Sequence, residues 1–337
     1  MEKIDFVVTW VDSTDPEWIS QYNKYREKKL EGDKARFRNW DFFKFWFRSI
    51  EKFAPWVNKI FLVTNGKYPD WLNINHPKLV LVKHSDYIPQ QFLPTFNVRT
   101  IQFNYDKIKD LSEHFVDFND DMYLNAPITP DYYFRNGLPC DRTEESIFRA
   151  TRYDPVNMFY TDISIYCDVA VLNHHFNRKS VIRCSYKKWI GPYLSLKGLF
   201  VSALLTCMGR QKFEGFRDFH TEQPMLKSTI SELWEKEPFM MNKSCTQFRK
   251  NVSLNSYIIK YWQLAKNQFY PKKSEGKKLI MTKENLPAIQ KLLNNKKVKS
   301  LCLNDSSKSP ESDCAYVKQS IMNMFIQKFP NKSSFEL

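Results

Sequence analysis

Four short apolar runs, each ending in polar side chains, set the pattern of the first third of the chain. Ile4 to Val11 ends at Asp12, Lys59 to Thr64 at Asn65-Gly66, Leu79 to Lys83 at His84, and His114 to Phe118 at Asn119-Asp120-Asp121. Runs this short and this rich in Val, Ile, Leu and Phe read as buried strands. Helix-like stretches fill the intervals, and a strand–helix–strand order predicts a parallel sheet with crossover connections, an α/β fold. The carboxyl ends of such strands share one edge, and ligands bind in the crevice outside it. Asp12, Asn65, His84 and the Asn119-Asp120-Asp121 cluster are therefore expected to converge.

The elements between and after these runs follow from spacing and punctuation. Asp12-Ser13-Thr14-Asp15-Pro16 marks a helix start, with Asp15 as its cap and Asp12 left for a ligand. From Phe37 to Phe53, Phe42, Phe43, Trp46, Phe47, Ile50 and Phe53 recur at helical spacing. They predict a core-facing helix, carrying Arg48, that stops at Ala54-Pro55. Gly66 permits close approach of backbone to ligand, although Asn-Gly alone is a common turn. A helix carrying Arg99 is expected after Leu93-Pro94-Thr95-Phe96-Asn97. Residues 131 to 188 are less regular, and Gly191 to Gly209 reads as a buried helix. Further helical patterns run from Met225 to Trp234 and through Tyr261-Trp262-Gln263-Leu264. Leu301 to Asp305 reads as a last strand, followed by a turn-rich stretch from Ser306 to Ser312.

Composition narrows the class. With 337 residues, 42% hydrophobic and 16% aromatic, a substantial core forms and global disorder is excluded. A net charge of +14 calls for anionic partners without choosing among nucleotides, sugar phosphates, lipid surfaces and nucleic acid. The seven cysteines contain no Cys-x-x-Cys pair, which argues against a disulfide framework or structural zinc and suits a reducing cytoplasm. Met1-Glu2-Lys3 runs straight into the first strand, so no signal peptide is expected. The uncharged run from Gly198 to Gly209 is too short to span a bilayer. Between Lys266 and Lys299 ten lysines accompany two glutamates. A solvated helical surface explains them, and contact with an anionic membrane face is the sharper alternative.

The candidate chemistry lies in the acids. Asn119 and Asp121 share one face of an extended strand, and where the chain turns both Asp120 and Asp121 come within reach of one cation. Oxygen donors of this kind suit Mg²⁺ or Mn²⁺ bridging phosphate oxygens, and an acidic doublet is equally common in plain turns.

Four blocks in order resemble the Stealth family, sugar-1-phosphate transferases of cell-surface polysaccharides related to the lysosomal-enzyme N-acetylglucosamine-1-phosphotransferase. They are Ile4 to Asp12; Arg48 to Lys52 with Ala54-Pro55-Trp56-Val57, Leu62 to Gly66, Leu93 to Asn97 and Phe118 to Asp121; His220, Pro224, Phe248-Arg249 and Tyr261 to Leu264; and Cys302-Leu303-Asn304-Asp305. The sequence departs from the family pattern at Val98 and Arg99 and in the longer spacing of His220-Thr221-Glu222-Gln223-Pro224.

The resemblance implies a Rossmann-like, glycosyltransferase-A-like nucleotide-sugar fold. The implied catalytic unit spans 1–337: an α/β core over 1–130, an acceptor-side insertion over 131–190, and a mainly helical part over 191–337 that completes the site. It implies transfer of a sugar 1-phosphate from a nucleotide-diphosphate sugar to a hydroxyl of a polysaccharide or lipid-linked oligosaccharide, releasing a nucleoside monophosphate. His220, Arg249, Asp120 and Asp121 are the implied catalytic residues. Trp10, Asp12, Arg48, Asn65, Gly66, Asn97, Arg99 and Asn119 are the implied donor-binding residues. Asp120, Asp121 and Asp305 are the implied holders of Mg²⁺ or Mn²⁺. Two readings compete: a conventional glycosyltransferase releasing a nucleoside diphosphate, and a non-enzymatic binder of anionic polymers. The second gains nothing from paired acids in its groove, which also argues against nucleic acid as a partner.

Overall fold

The computed structural model describes residues 2–26, 38–147, 158–250, 252–305 and 311–337. Its main sheet contains β1 (Ile4–Thr9), β2 (Ile60–Thr64), β3 (Leu79–Lys83) and β4 (His114–Asn119), all mutually parallel. Two further strands, β5 (Met122–Leu124) and β6 (Phe134–Arg135), precede β7 (Leu138–Asp141) and β8 (Gln223–Leu226). The chain then adds β9 (Tyr270–Pro271), β10 (Gly276–Ile280) and β11 (Ser300–Asn304).

The main sheet has the order β3-β2-β1-β4-β8, with β8 antiparallel at the edge. The order reverses between β1 and β4, where Thr9 sits opposite Asn119. A reversal of this kind opens a crevice at the carboxyl ends of the two strands. Only Asp120 and Asp121 separate β4 from β5, which leaves the main sheet to pair with β11 in a second sheet of order β10-β11-β5. The acidic doublet thus sits at the junction of two sheets, and the Asp121 carbonyl accepts from the Leu303 amide at 3.0 Å.

Alternation along the strands divides the core. Phe6, Val8, Ile60, Leu62, Val116 and Phe118 face the helix Phe43–Phe53, on which five of the six aromatic and aliphatic positions named above are buried, the sixth, Phe42, being buried at its N-cap. Val7, Phe61, Val63 and Phe115 face the other layer, around the helix Tyr257–Ala265. Each side is a continuous apolar layer, the condition for a parallel sheet covered on both faces. Asp15 caps the helix Pro16–Tyr25 by accepting from the Glu17 amide at 3.1 Å, as its sequence position predicts.

Several expectations are corrected. The stretch from 131 to 188 is not irregular: it contains β6, β7 and the helices Met158–His175, Arg178–Cys184 and Tyr186–Trp189. The helix Leu196–Cys207 exposes most of its apolar residues instead of burying them. The expected helix from Met225 begins at Lys227, because Gln223–Leu226 is taken as an edge strand in which Pro224 lacks only a hydrogen bond it does not need. The lysine-rich stretch is not one helical surface, since it includes β9 and β10. The turn expected from Ser306 lies, through Pro310, outside the described residues.

Candidate active site

The parallel strands deliver Trp10 and Asp12, Asn65 and Gly66, and Asn119 to Asp121 to one edge of the sheet, as their order requires. Trp10 is half-buried and stacks on Phe43, with ring centroids 6.0 Å apart. Asp12 Oδ1 accepts from the Thr14 amide and hydroxyl at 2.9 and 2.6 Å, shaping the loop beyond β1. Gly66 has φ +111°, a conformation that the turn after β2 obtains only from glycine at low cost. His84 opens a helical turn, His84–Tyr87, and stands apart from the acidic cluster.

The chemistry concentrates around Asp121. Its carboxylate, a ring nitrogen of His220 and the Cys302 sulfur all lie within 4.8 Å of one another. Burial pushes the Asp121 carboxyl up to about 6, against the hydrogen bond from Cys302 and the charge of Lys278. Asp120 is open to solvent along one side; surrounding protein and the charge of Asp121 push its carboxyl upward, and the water it touches screens part of that push. Cys302 donates to Asp121 Oδ2 across 3.5 Å, and burial holds its thiol well above the usual range. It therefore acts as a weak donor, not a thiolate.

His220 has φ +49°, an uncommon backbone state for a residue with a Cβ and one that surrounding structure must hold in place. Two residues earlier, Asp218 is anchored by the Tyr261 hydroxyl and by buried Lys260, whose Nζ lies 3.6 Å from its carboxylate. The His220 Nδ1 lies 3.1 Å from the Tyr257 hydroxyl. Burial, then the charges of Lys278 and Arg249, lower the His220 pKa to about 4, so the ring is neutral at physiological pH. The structure thus brings together Asp120, Asp121, His220 and Arg249 from three distant parts of the chain.

Arg249 owes its position to the Leu93–Asn97 loop. The Phe96 amide donates to the Gln247 carbonyl at 2.8 Å, Thr95 and Thr100 donate to the Thr246 carbonyl, and Phe96 stacks on Phe248 at 5.2 Å. Asn97 and Arg99 belong to that scaffold, which corrects their expected donor-binding role. Asn97 is 1% exposed and caps the helix Val98–Gln102, while Arg99 is 2% exposed and donates to Ser253 at 2.9 Å. Arg48 is likewise corrected: its guanidinium forms a two-point ion pair with Glu336 at 2.7 and 2.6 Å and donates to the Phe329 carbonyl. Asp305 is taken up by Arg38 at 3.0 Å and Trp40 at 3.1 Å, so its carboxylate is committed to an ion pair outside the Asp121 grouping.

Sequence reasoning missed the cations. Arg142, Lys272 and Lys273 line a pocket with Tyr132, His220 and Glu222, and Lys278 acts on both Asp121 and His220. Burial lowers the Lys272 pKa to about 7, against the charge of Glu222. Arg142 lies over the Phe219 ring at 3.7 Å. No local pattern marks these residues; their strands are short, and lysine is common on surfaces.

A divalent cation fits the acids. Asp121 Oδ1 is a buried carboxylate oxygen with no hydrogen-bond partner, beside the second carboxylate of Asp120. With Cys302 held as a thiol, the oxygen donors suit a hard ion such as Mg²⁺ or Mn²⁺. A second grouping, His174, His175 and Glu237, is accounted for by the 2.6 Å hydrogen bond between His175 and Glu237.

Comparison with known proteins agrees with the sequence resemblance. Residues 2–30 match the family model for Stealth protein conserved region 1, and residues 36–140 match that for conserved region 2. The chain is 36% identical to a capsular polysaccharide phosphotransferase WcwK of Streptococcus pneumoniae, over 100% of this chain and 98% of the relative. It is 36% identical to the receptor polysaccharide phosphotransferase WefC of Streptococcus oralis, over the full length of both. It is 33% identical to the exopolysaccharide phosphotransferase cps2G of Lactiplantibacillus plantarum, over 99% of this chain and 96% of the relative. A solved structure of the galactosyltransferase LgtC aligns over 98% of both chains at 10% identity with a TM-score of 0.33, too loose to match residues.

Proposed function

The chain belongs to the Stealth family of polysaccharide phosphotransferases, and from that premise we propose that it transfers a sugar 1-phosphate from a nucleotide-diphosphate sugar to a hydroxyl of a cell-surface polysaccharide or its lipid-linked precursor. The observation that carries the reading is the grouping of Asp121, His220 and Cys302 beside Arg249 and Lys278, next to the crevice between β1 and β4.

Each part of the grouping answers one demand of the reaction. The donor's diphosphate brings negative charge, which Arg249 meets as a planar fork and Lys278 as a point charge. Asp120 and Asp121 would hold Mg²⁺ or Mn²⁺, which when bound neutralises phosphate oxygens during transfer. The acceptor oxygen forms a bond to the phosphorus that carries the sugar. The bridging bond to the nucleoside phosphate breaks, and a nucleoside monophosphate leaves. His220 takes the acceptor's proton at Nε2, which requires Nδ1–H to donate to the Tyr257 oxygen. In the free protein two cations depress the basicity of His220. A bound diphosphate offsets both charges, which relieves that part of the depression and leaves the part due to burial. That none of the seven cysteines is in a disulfide supports a reducing compartment, the cytoplasm.

The test is product analysis with purified protein, Mg²⁺, a panel of UDP-sugars and an oligosaccharide acceptor. Release of UMP with phosphorus retained in the acceptor product supports the reading. Release of UDP makes the protein a conventional glycosyltransferase and removes the phosphoryl-transfer role from His220.

A further inference from the structure

We propose that the helix Leu196–Cys207 docks this protein onto an anionic lipid bilayer. The helix is inverted relative to an ordinary surface helix. Its inward face carries Gly198, Ser202 and Leu205, packed over a buried ion pair in which Arg178 donates to both oxygens of Glu145 at 2.6 and 2.7 Å. Arg178 also reaches the Ser202 carbonyl and the Thr206 hydroxyl. The outward face, continued just past the helix end, carries Leu196, Leu199, Phe200, Leu204 and Met208, with Leu196 89% and Phe200 68% exposed. Their spacing of i, i+3, i+4, i+8 and i+12 puts all five opposite the buried positions. Scattered exposed apolar residues are ordinary; five on one helical face mark a binding surface.

Charge selects the occupant. From Val169 to Phe213 the sequence has eight Lys or Arg and no Asp or Glu. Of these, Lys179, Arg183, Lys187, Lys197, Arg210 and Lys212 are exposed. A protruding apolar helix flanked in sequence by a surplus of basic residues, of which Arg210 pairs with Glu214 at 3.7 Å, matches the acyl–headgroup boundary of an anionic leaflet. No helix among the described residues is long and apolar enough to cross a membrane, so the contact is interfacial. The sequence suggested the lysine-rich stretch from Lys266 for such contact, but there Lys272 and Lys273 turn into the pocket and Lys266 pairs with Glu232.

The docking face is joined to the pocket. Glu144, against which Gly198 packs, pairs with Arg217 at 3.0 Å, and Arg217 lies over Phe219, the residue before His220. Docking would therefore hold the His220 loop near the membrane, where a lipid-linked acceptor resides. That consequence rests on the transferase reading, whereas the docking itself does not.

The test is co-sedimentation of the full chain with vesicles of phosphatidylglycerol and phosphatidylcholine, against phosphatidylcholine alone. The wild type should bind the anionic vesicles and release as salt rises. Leu196→Glu with Phe200→Glu should weaken binding about tenfold or more. Lys197→Gln should weaken it about fivefold, the effect of one basic residue at an anionic surface. Both variants should keep the wild-type thermal midpoint and UMP release with a soluble acceptor, because these side chains touch neither core nor pocket. Absence of wild-type binding to anionic vesicles overturns the proposal, as does binding unchanged in the Glu variant. So does a dimer in light scattering that Phe200→Glu dissolves without any vesicle binding, which would make the face a contact between copies.

Discussion

His220 Nδ1 lies 3.1 Å from the Tyr257 hydroxyl, and in the proposed reaction this contact would set which ring nitrogen is left for the acceptor. Burial raises the Tyr257 pKa, so the phenol stays protonated and its oxygen is available to accept from Nδ1–H. Removing the hydroxyl frees the ring to adopt the other tautomer. Tyr257→Phe should lower kcat about tenfold with little change in KM, and His220→Ala should lower it by about 10²–10⁴-fold. Steady-state kinetics on purified variants checks both, and an unchanged kcat in Tyr257→Phe would remove the orienting role.

Metal binding should compete with protons at Asp121. Its carboxyl titrates near 6 in the metal-free protein, and only the ionised form binds a cation. Affinity for Mn²⁺ should therefore fall by about tenfold per pH unit below that value, and more steeply where Asp120, also raised, takes up its proton. Titrations followed by paramagnetic resonance at mildly acidic and mildly alkaline pH decide this. A flat profile would place the metal elsewhere.

A separate pH effect belongs to the core. Asp117, inside β4, is pushed up to about 7 by burial, against hydrogen bonds that include one from Gln102 at 2.6 Å. Its folded-state value lies above the unfolded value of 3.8. Folding therefore favours the protonated acid, whose stabilising contribution is complete below the unfolded value and is lost as pH rises through the folded one. Asp117→Asn should flatten that loss. Urea unfolding at several pH values checks it, and identical pH slopes for wild type and variant would contradict it.

The Arg178–Glu145 pair predicts a stability effect at a distance from the catalytic residues. Each side chain is 1% exposed, so deleting one partner strands a buried charge. Arg178→Ala should cost roughly 3–5 kcal/mol in unfolding measurements, and replacing both residues with apolar ones should recover much of it.

The sequence legibly carried the parallel core, because strand runs ending in polar residues are a local pattern and sheet topology follows from their order. Asp15's cap and the buried face of the helix Phe43–Phe53 were legible for the same reason. Asp120, Asp121, His220 and Arg249 were named through the family resemblance, and the structure groups them. The fate of a polar side chain was not legible. Arg48, Asn97 and Asp305 stand in strings that resemble the family and Arg99 stands beside one, yet each is drawn to a partner far along the chain: Glu336, Ser244, Arg38 and, for Arg99, Ser253. The same holds for the inverted helix Leu196–Cys207, whose uncharged run from Gly198 onward reads as buried until a charged pair occupies the space beneath it. Local pattern determines which elements form, since backbone geometry and alternation act over a few residues. Long-range packing decides which groups face substrate, solvent or one another, since those contacts exist only once the chain has folded.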